Sequence, residues 1–271
     1  MTNPAFNTIM GNADVKERLR DDNKMNICKD KRNCAKISAG KVAEIIVRKI
    51  RRKGFSNIIV SAGISQYQML HELSKADIEW RKVNVFQLDD YVGIPRSHPA
   101  SFGKFLMDSF DKNIESLKRF TYINGDANPE EECKRLGRII SRVDIDVACI
   151  GIGENGHLGF NDPPADFKID KPYITVGVDE EYRKLLVGEE WFKTVNAVPD
   201  RAITMSIRQI MRSKAIVCTV TGRHKAKAVK NVVEGKVTDT VPASILKRHR
   251  NCWLFLDDAA AARLEKPGVM K

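Results

Sequence analysis

A histidine that could act as a general acid and base lies in the glycine-rich segment Gly151-Ile-Gly-Glu-Asn-Gly-His157. An amide, Asn155, stands two residues before His157, and a carboxylate, Asp162, stands five residues after it. Histidine changes its charge near neutral pH, and both neighbouring groups can orient an imidazole ring for proton transfer. For a single histidine, a ring held only by backbone groups is the alternative. The combination of all three residues favours an acid–base unit.

Two consecutive carboxylates, Asp89 and Asp90, follow the apolar run 83–88, which reads as a strand. Neighbouring side chains of an extended chain point in opposite directions, so we expect at most one of them to face a cleft. Burial in a cleft would raise the pKa of that carboxyl group and suit it as a base for a carbon-bound proton. A pair that caps a turn or a helix is the alternative.

Two other segments predict a site for an anion such as phosphate. The run Ser61-Ala62-Gly63-Ile64-Ser65 joins a strand pattern to a helix pattern, where backbone N–H groups and the positive helix end can hold a phosphate. It lacks the P-loop pattern. The run Gly222-Arg-His-Lys225 has the same kind of position, so Lys225 or Arg223 could add positive charge for the same anion. An ordinary strand-to-helix turn and a solvated basic helix start explain the two runs equally well.

The glycine-rich segment also matches the G-x-G-x-x-G pattern of dinucleotide-binding sites. That pattern requires a helix to begin at once, whereas Pro163 and Pro164 follow shortly and cannot continue a helix. We therefore expect no nicotinamide or flavin site. The glycines instead predict a loop that holds Asn155, His157 and Asp162 at the end of a strand.

The elements that would position these residues alternate between strands and helices. Strands are predicted over 57–62, 83–88, 145–150, 215–220 and 253–256, and helices over 37–53, 102–110, from Pro129 onward, and over 225–233. This alternation predicts an α/β fold, with a doubly wound, mostly parallel Rossmann-like sheet and helices on both faces. Ligands bind such sheets beyond the carboxyl ends of the strands, and the candidate residues all follow strands.

The domain organisation is expected to be simple. The first 24 residues show little apolar periodicity, and we expect a flexible N-terminal extension over 1–34 and a single domain over 35–271. Prolines and aromatic residues are spread through 160–200. This favours a lid over a site at about 160–195, with a structural excursion as the alternative.

Composition and charge limit the class of protein. Of the 271 residues 42% are hydrophobic and 30% are charged, which is typical of a folded globular chain. The sequence has neither an apolar run of about 18 residues nor a signal peptide, so we expect a cytoplasmic protein without a membrane partner. The net charge of +11 is spread along the chain without a basic stretch interleaved with aromatic residues. This favours a surface that attracts anionic substrates over one that binds nucleic acid.

Six scattered cysteines predict reduced thiols and no metal site. Cys28 and Cys34 are the closest pair, and we expect them to be solvated. Cys149 and Cys218 lie in apolar runs and are expected to be buried in strands.

Longer motifs carry a resemblance to a known family, the glucosamine-6-phosphate deaminases. The two signature-like segments are Phe86-Gln-Leu-Asp-Asp-Tyr-Val-Gly-Ile-Pro95, followed by His98-Pro99-x-Ser101-Phe102, and Gly151-Ile-Gly-Glu-Asn-Gly-His-Leu-Gly-Phe-Asn-Asp-Pro163. The resemblance continues through Val198-Pro199-x-x-Ala202-Ile-Thr204-Met, Gly222-Arg-His-Lys-Ala-Lys-Ala and Val233-Glu234-Gly235, and covers about residues 35 to 257.

The resemblance implies the same fold and a reaction on a sugar phosphate. Glucosamine 6-phosphate would isomerise from aldose to ketose and lose ammonia by hydrolysis, leaving fructose 6-phosphate, without a metal or organic cofactor. Asp89 would move a proton between C2 and C1 of the opened sugar. His157 would assist ring opening and would be oriented by Asn155 and Asp162.

The same resemblance implies the binding residues. Lys225 would bind the phosphate, and segment 160–195 would be a mobile lid. Oligomerisation remains open, with a homo-oligomer as one outcome. The expected substrate contacts are Ser61, Ala62, Gly63, Ile64, Ser65, Asp90, Tyr91, Gly156 and Lys225.

Three positions depart from the family pattern. Gly63-Ile64-Ser65-Gln66 replaces a Gly-Gly-Thr-Pro-like run, which predicts a less close approach of the backbone to phosphate. Asp162 is one methylene shorter than the usual Glu, which predicts a longer or water-mediated contact with His157. No arginine, Arg183 included, falls clearly at the phosphate-binding position of the lid.

Two other functions fit parts of the pattern. The 6-phosphogluconolactonases share the fold and the glycine-histidine loop, but they continue with Thr-Ala-Ser-Leu-Phe-Pro, whereas this chain continues from Leu158 to Pro163 with Leu-Gly-Phe-Asn-Asp-Pro. A sugar-phosphate sensor without catalysis is the non-enzyme alternative. The presence of both Asp89 and His157 favours catalysis.

Overall fold

The computed structural model describes residues 25–188 and 192–265, and its centre is a seven-stranded sheet. Every pair of neighbouring strands in this sheet is parallel. The strands are β1 (Met25–Cys28), β2 (Ser56–Val60), β3 (Val83–Gln87), β5 (Arg119–Thr121), β6 (Val147–Ile150), β9 (Ile216–Val220) and β10 (Cys252–Asp257). Their spatial order is β1-β10-β9-β6-β2-β3-β5, so the direction of the crossovers reverses between β2 and β6.

A second, smaller sheet stands beside the first. It contains β4 (Asp89–Tyr91), β7 (Tyr173–Gly177) and β8 (Arg201–Met205), in the order β4-β8-β7 with both pairs antiparallel. The chain leaves the central sheet after Gln87 and enters the small sheet at Asp89. This residue therefore lies at the junction of the two sheets.

Helices cover both faces of the central sheet, as the sequence predicts. The apolar cluster on one face includes side chains from α1 (Lys31–Lys53), α2 (Ile64–Ser74) and α3 (Phe102–Ser109). The cluster on the other face includes side chains from α4 (Pro129–Ile140), α6 (Ile207–Met211), α7 (Ala226–Glu234) and α8 (Asp258–Ala261). A third cluster joins α5 (Glu180–Gly188) to the small sheet. None of the described helices, α1 included, is both long and apolar enough to cross a membrane.

Short 3₁₀ helices connect several elements, and local sequence explains where the longer helices begin and end. The 3₁₀ helices are Trp80–Lys82, Asp111–Asn113, Val195–Ala197, Arg223–Lys225 and Pro242–Arg248. Asp30 accepts a hydrogen bond from the backbone of Asn33 and caps α1, which ends at Gly54 with a φ of 84°. Asn128 caps α4 in the same way, ahead of Pro129 at the first helical position.

The expected extension over 1–34 is wrong for its last ten residues, while residues 1–24 lie outside the described part of the chain. Residues 25–28 form β1 at the edge of the central sheet, and α1 already begins at Lys31. A four-residue strand whose partner, β10, lies more than two hundred residues later leaves no local pattern in the sequence. Cys28 and Cys34 are consequently buried rather than solvated.

Candidate active site

Four segments with candidate residues follow strands that lie next to one another. They are residues 61–65 after β2, Asp89 after β3, 151–157 after β6, and 222–225 after β9. These strands are consecutive in the order β9-β6-β2-β3, with a spacing of about 4.8 Å per pair. Because the strands are parallel, their carboxyl ends meet at one edge, and the crossover reversal between β2 and β6 lies at its centre.

His157 is oriented by both residues that the sequence singles out. Its backbone N–H donates to Oδ1 of Asn155 at 3.0 Å, and Nδ2 of Asn155 donates to Oδ1 of Asp162 at 2.9 Å. The ring nitrogen Nδ1 of His157 lies 3.0 Å from the same Asp162 oxygen. The Nδ1 atom is buried, and the Asp162 oxygen lies within ion-pair distance of it, although the angle of this contact is not that of a hydrogen bond.

The expected longer contact between Asp162 and His157 is wrong. The chain turns back between Leu158 and Asn161, where the Asn161 backbone N–H donates to the Leu158 carbonyl, and this brings Asp162 directly to the histidine. Burial by itself raises the pKa of Asp162, but hydrogen bonds from His157 and Asn155 and the charge of His157 lower it below its ordinary value. Asp162 is therefore held as a carboxylate beside the ring.

Glycines let the loop fit closely around the two candidate catalytic side chains. A Cβ atom on Gly153 would lie 2.2 Å from the His157 ring, so only glycine lets the ring occupy this place. Gly159 has a φ of 61°, and a Cβ there would lie 3.2 Å from Oδ2 of Asp89. Gly159 thereby brings Asp89 next to the loop that carries His157, in agreement with a shared site.

Asp89 is buried, with 5% of its surface exposed. Burial, with a smaller contribution from the charge of Asp90, raises the pKa of Asp89 to about 8. It pairs with Thr204 across β4 and β8, and the Thr204 hydroxyl accepts from the backbone N–H of Phe160. Asp89 is thus a carboxyl group that can exchange a proton near neutral pH at the junction of the two sheets.

Asp90 faces the opposite direction and is part of the framework rather than the substrate contact that the sequence predicts. Its Oδ1 accepts from the backbone N–H groups of Tyr91 and Phe102, and its Oδ2 accepts from Gln87, Ser101 and the backbone of Gly103. Burial raises the pKa of Asp90, and the hydrogen bonds oppose this rise. The helix-capping alternative is therefore correct for Asp90, which anchors the first turn of α3.

Tyr91 also differs from its expected role as a substrate contact. Only 1% of its surface is exposed, and its ring packs 5.1 Å from Phe102, 5.3 Å from Phe160 and 6.5 Å from Phe192, measured between ring centroids. This aromatic cluster ties the segment after His157 and the region beyond α5 to the small sheet. Its function is packing, because aromatic pairs at such distances stabilise a core.

The segment after β2 has the geometry of an anion site at a helix end. Gly63 has a φ of 123°, stands before α2 and provides no side-chain cap, so the first N–H groups of the helix have no intrahelical partner. The Ser61 hydroxyl donates to the carbonyl of Cys149 at 3.2 Å, which directs it into the protein. Ala62 packs on the core, and the side chains of residues 64 and 65 lie outside the described part.

Lys225 begins the helical segment after β9. Burial lowers the pKa of Lys225, and the nearby carboxylate of Glu154 opposes the shift. Glu154 belongs to the loop of His157, so this interaction brings the segment after β9 to the segment after β6. Gly156, in the same loop, has a φ of 89° and accepts at its carbonyl from the backbone of Ala243. Gly156 therefore shapes the loop through its backbone.

Sequence reasoning missed three buried polar residues that fix this edge of the sheet. Gln87 donates to the Asp89 carbonyl and to Asp90, and it accepts from the backbone N–H of Ile123. Gln66 donates to the carbonyls of Ile150 and Thr219 and ties α2 to β6 and β9. Thr204 contacts Gly159. In the sequence, Gln87 could have been noticed as a polar residue inside an apolar run. The sequence gives no such signal for Gln66 and Thr204, because their contacts depend on the fold.

The expected lid over 160–195 contains β7, all of α5 and the start of the next connection, and residues 189–191 lie outside the described part. Arg183 donates to the carbonyls of Val195 and Val198 at 2.8 and 3.1 Å. These two hydrogen bonds engage the guanidinium group of Arg183 with backbone carbonyls that follow α5. Arg183 therefore offers no contact to a phosphate in this arrangement.

Comparisons with known proteins agree with this geometry. The sequence model of a family described as glucosamine-6-phosphate isomerases/6-phosphogluconolactonase matches residues 29–255. A glucosamine-6-phosphate deaminase from Streptococcus equi subsp. equi is 34% identical over 230 residues, which cover 84% of this chain and 96% of the relative. One from a Thermoanaerobacter species is 33% identical over 229 residues, covering 82% of this chain and 89% of the relative.

Solved structures share the fold. A monomeric glucosamine-6-phosphate deaminase superimposes with a TM-score of 0.79 at 27% identity and covers 88% of this chain and 98% of its own. The 6-phosphogluconolactonase of Thermotoga maritima superimposes with a TM-score of 0.71 at 14% identity, covering 86% of this chain and 98% of its own. At that identity the second likeness concerns the fold alone.

Proposed function

The chain belongs to the family of glucosamine-6-phosphate isomerases and 6-phosphogluconolactonases, and from this we propose that it is a glucosamine-6-phosphate deaminase. It converts glucosamine 6-phosphate and water to fructose 6-phosphate and ammonia. The relatives that are about one-third identical over most of the chain are named for this activity. The observation that carries the proposal is the buried Asp89, which has a raised pKa and lies beside the loop of His157.

Asp89 is the base of the isomerisation. It removes the proton from C2 of the open-chain aldehyde sugar while the C1 oxygen gains a proton, and it returns the proton to C1 while the nitrogen loses one, which leaves an imine at C2 and a hydroxymethyl group at C1. Water adds to this imine, and ammonia leaves as the ketone forms. A base for a carbon-bound proton must have a pKa near the working pH to accept and return the proton, and a pKa of about 8 satisfies this requirement.

His157 transfers the proton that ring opening requires, between the C1 hydroxyl and the ring oxygen of the sugar. Asp162 and Asn155 support this role because they fix the ring and the backbone of His157. The Asp162 carboxylate faces Nδ1 of His157, so Nε2 is left for the substrate.

The phosphate is held at the other side of the site, by the N-terminal end of α2 and by Lys225. The unpaired N–H groups at the helix start and the ammonium group supply the donors, and Gly63 leaves open space in front of them, since no atom lies within 4 Å of a Cβ built there. Segment 160–195 is the lid that closes over the sugar. Its attachment through the aromatic cluster around Tyr91 supports this assignment.

Release of ammonia from glucosamine 6-phosphate by the purified protein tests the proposal. We expect turnover by the wild type and a loss of about 10³-fold or more in Asp89→Asn, with sugar-phosphate binding retained. Asp111→Asn, outside the site, serves as the control and keeps full activity.

The other outcomes separate the alternatives. Hydrolysis of 6-phosphogluconolactone without ammonia release would make the protein a lactonase. Binding of amino-sugar phosphates without any turnover would make it a sensor. Either result overturns the deaminase assignment.

A further inference from the structure

A polar pocket lies at the free edge of the central sheet, and none of the residues proposed for catalysis lines it. Strand β5 is the last strand of the sheet, and within residues 25–188 and 192–265 it pairs with β3 alone. Along its outer side runs a cavity of about 380 Å³, here called the β5 edge pocket. Its lining includes Arg96, Arg119, Thr121, Tyr122, Asn124 and Arg135.

Three guanidinium groups line this pocket, and two of them have no carboxylate within ion-pair distance in the described part of the chain. These two are Arg96 and Arg119, whereas Arg135 forms a two-pronged pair with Glu132 at 2.6 Å. The Tyr122 hydroxyl donates to Asp111, which does not line the pocket, and no carboxylate is among the lining residues. The pocket therefore has a net positive charge that the protein leaves uncompensated.

Arg96 is held in place before any ligand arrives. Its aliphatic stem passes so close to Gly103 that a Cβ there would lie 3.1 Å from Cγ of Arg96. Its guanidinium group lies over the ring of Tyr122, 4.5 Å from the ring centroid. A guanidinium group fixed in this way loses little conformational entropy when it binds an anion.

A buried hydroxyl group without a partner provides an independent sign of a ligand. Thr121 is 5% exposed, and its Oγ1 atom has no hydrogen-bond partner in the described part of the chain. An unsatisfied buried hydroxyl is unfavourable, so such groups are uncommon unless something else satisfies them. Thr121 lines the pocket, where a ligand oxygen would accept its proton.

We propose that the β5 edge pocket is a second anion site, which binds the phosphate group of a small phosphorylated molecule. Guanidinium groups match the oxygens of phosphate by planar, paired hydrogen bonds, and the Thr121 hydroxyl adds a neutral donor. The cavity is larger than a phosphate ion requires, which leaves room for the organic part of the ligand. The site is separate from the phosphate position at α2 and Lys225, and it does not depend on the deaminase activity.

Titration calorimetry with inorganic phosphate at low ionic strength tests the proposal on the full chain. We expect two bound phosphates in the wild type and one in the double variant Arg96→Gln, Arg119→Gln. Thr121→Val keeps the shape of the strand and is expected to weaken the second site by roughly tenfold. Lys225→Gln is expected to weaken phosphate binding at the site formed by α2 and Lys225. It should leave phosphate binding in the β5 edge pocket unchanged.

A matched control variant removes the same number of positive charges outside the pocket. The double variant Arg32→Gln, Arg142→Gln replaces two exposed arginines outside the pocket, and we expect both phosphates to remain. Equal stoichiometry and affinity in the wild type and in Arg96→Gln, Arg119→Gln would overturn the proposal. So would a wild type that binds a single phosphate which Lys225→Gln removes.

Discussion

Nδ1 of His157 lies 3.0 Å from Oδ1 of Asp162, although Asp162 has a shorter side chain than the glutamate usual at this position. The turn from Leu158 to Asn161 makes up the missing length by carrying the backbone of Asp162 closer to the ring. Asn155 donates to the same carboxylate oxygen and holds it in place. The histidine is therefore supported from two sides by side chains of its own loop.

The first prediction concerns the charge of Asp162. Asp162→Asn keeps the size of the side chain but removes the carboxylate that faces Nδ1 of His157 and orients the ring, so we expect kcat to fall by roughly 10²-fold with little change in KM. Steady-state ammonia release measures both constants. Asp144→Asn, which changes an exposed carboxylate paired with Lys214 outside the site, is the control. An Asp162→Asn enzyme with unchanged kcat would exclude this positioning role.

The second prediction is the pH dependence of the proposed reaction. Asp89 acts as a base and must be ionised in the free enzyme, while its burial raises its pKa to about 8. Below this value kcat/KM should therefore increase about tenfold for each pH unit and then level off. A profile measured from pH 5 to 9 with Asp162 intact reports this pKa. A flat profile across the whole range would contradict the role of Asp89.

The third prediction is that Asp89 lowers stability as the pH rises. Its pKa is raised in the folded chain, so the unfolded chain binds fewer protons, and stability is lost between about pH 4 and pH 8. Asp89→Asn should gain stability relative to the wild type, on the order of 5 kcal/mol at pH 8 and only about 1–2 kcal/mol at pH 5. Urea unfolding at the two pH values measures the difference. A pH-independent difference would show that the carboxyl group is not desolvated.

Much of the fold could be predicted from local patterns. The runs that became β2, β3, β6, β9 and β10 are apolar and short, and some of the helices between them have clear caps, such as Asn128 and Pro129 before α4. The same patterns could not reveal β1 or the small sheet. Their strands are short, and their pairing partners lie far away in the sequence.

The roles of the site residues could be predicted where the residue type itself indicates the chemistry. They could not be predicted where burial decides the role of a side chain. His157, Asn155 and Asp162 lie within eight residues, so their association could be inferred from spacing. Asp89 and Asp90 have the same side chain, and their roles differ because only Asp90 meets the first turn of α3. No sequence pattern separates such a pair, since the distinction depends on which face of β4 each residue occupies.

The fourth prediction concerns Asp90 as the anchor of α3. Oδ2 of Asp90 accepts three hydrogen bonds and Oδ1 accepts two. Asp90→Asn replaces one of these oxygens by an amide NH₂ group, so at least one buried N–H or hydroxyl donor loses its partner. We expect a loss of about 2–4 kcal/mol in the free energy of unfolding, measured by urea titration. Asp108→Asn, which changes an exposed carboxylate paired with lysines, should have a much smaller effect. Equal small losses in both variants would contradict the anchoring role.

The fifth prediction uses the close packing of Gly153 against His157. Gly153→Ala places a Cβ atom 2.2 Å from the ring, so the imidazole must move away from Asp162 while the sheet keeps its core. A displacement of about 1 Å in a catalytic group can cost roughly 10²-fold in rate, and we expect a loss of this size in kcat.

Gly137→Ala is the matched control for this change, because its new Cβ meets only Pro172 at 3.8 Å inside α4. It should stabilise the protein by about 0.5–1 kcal/mol and leave kcat unchanged. Thermal unfolding and ammonia release measured on both variants separate packing from catalysis. A Gly153→Ala enzyme that keeps its full rate would mean that the ring position in this loop does not set the chemistry, and His157 would lose its proposed role in ring opening.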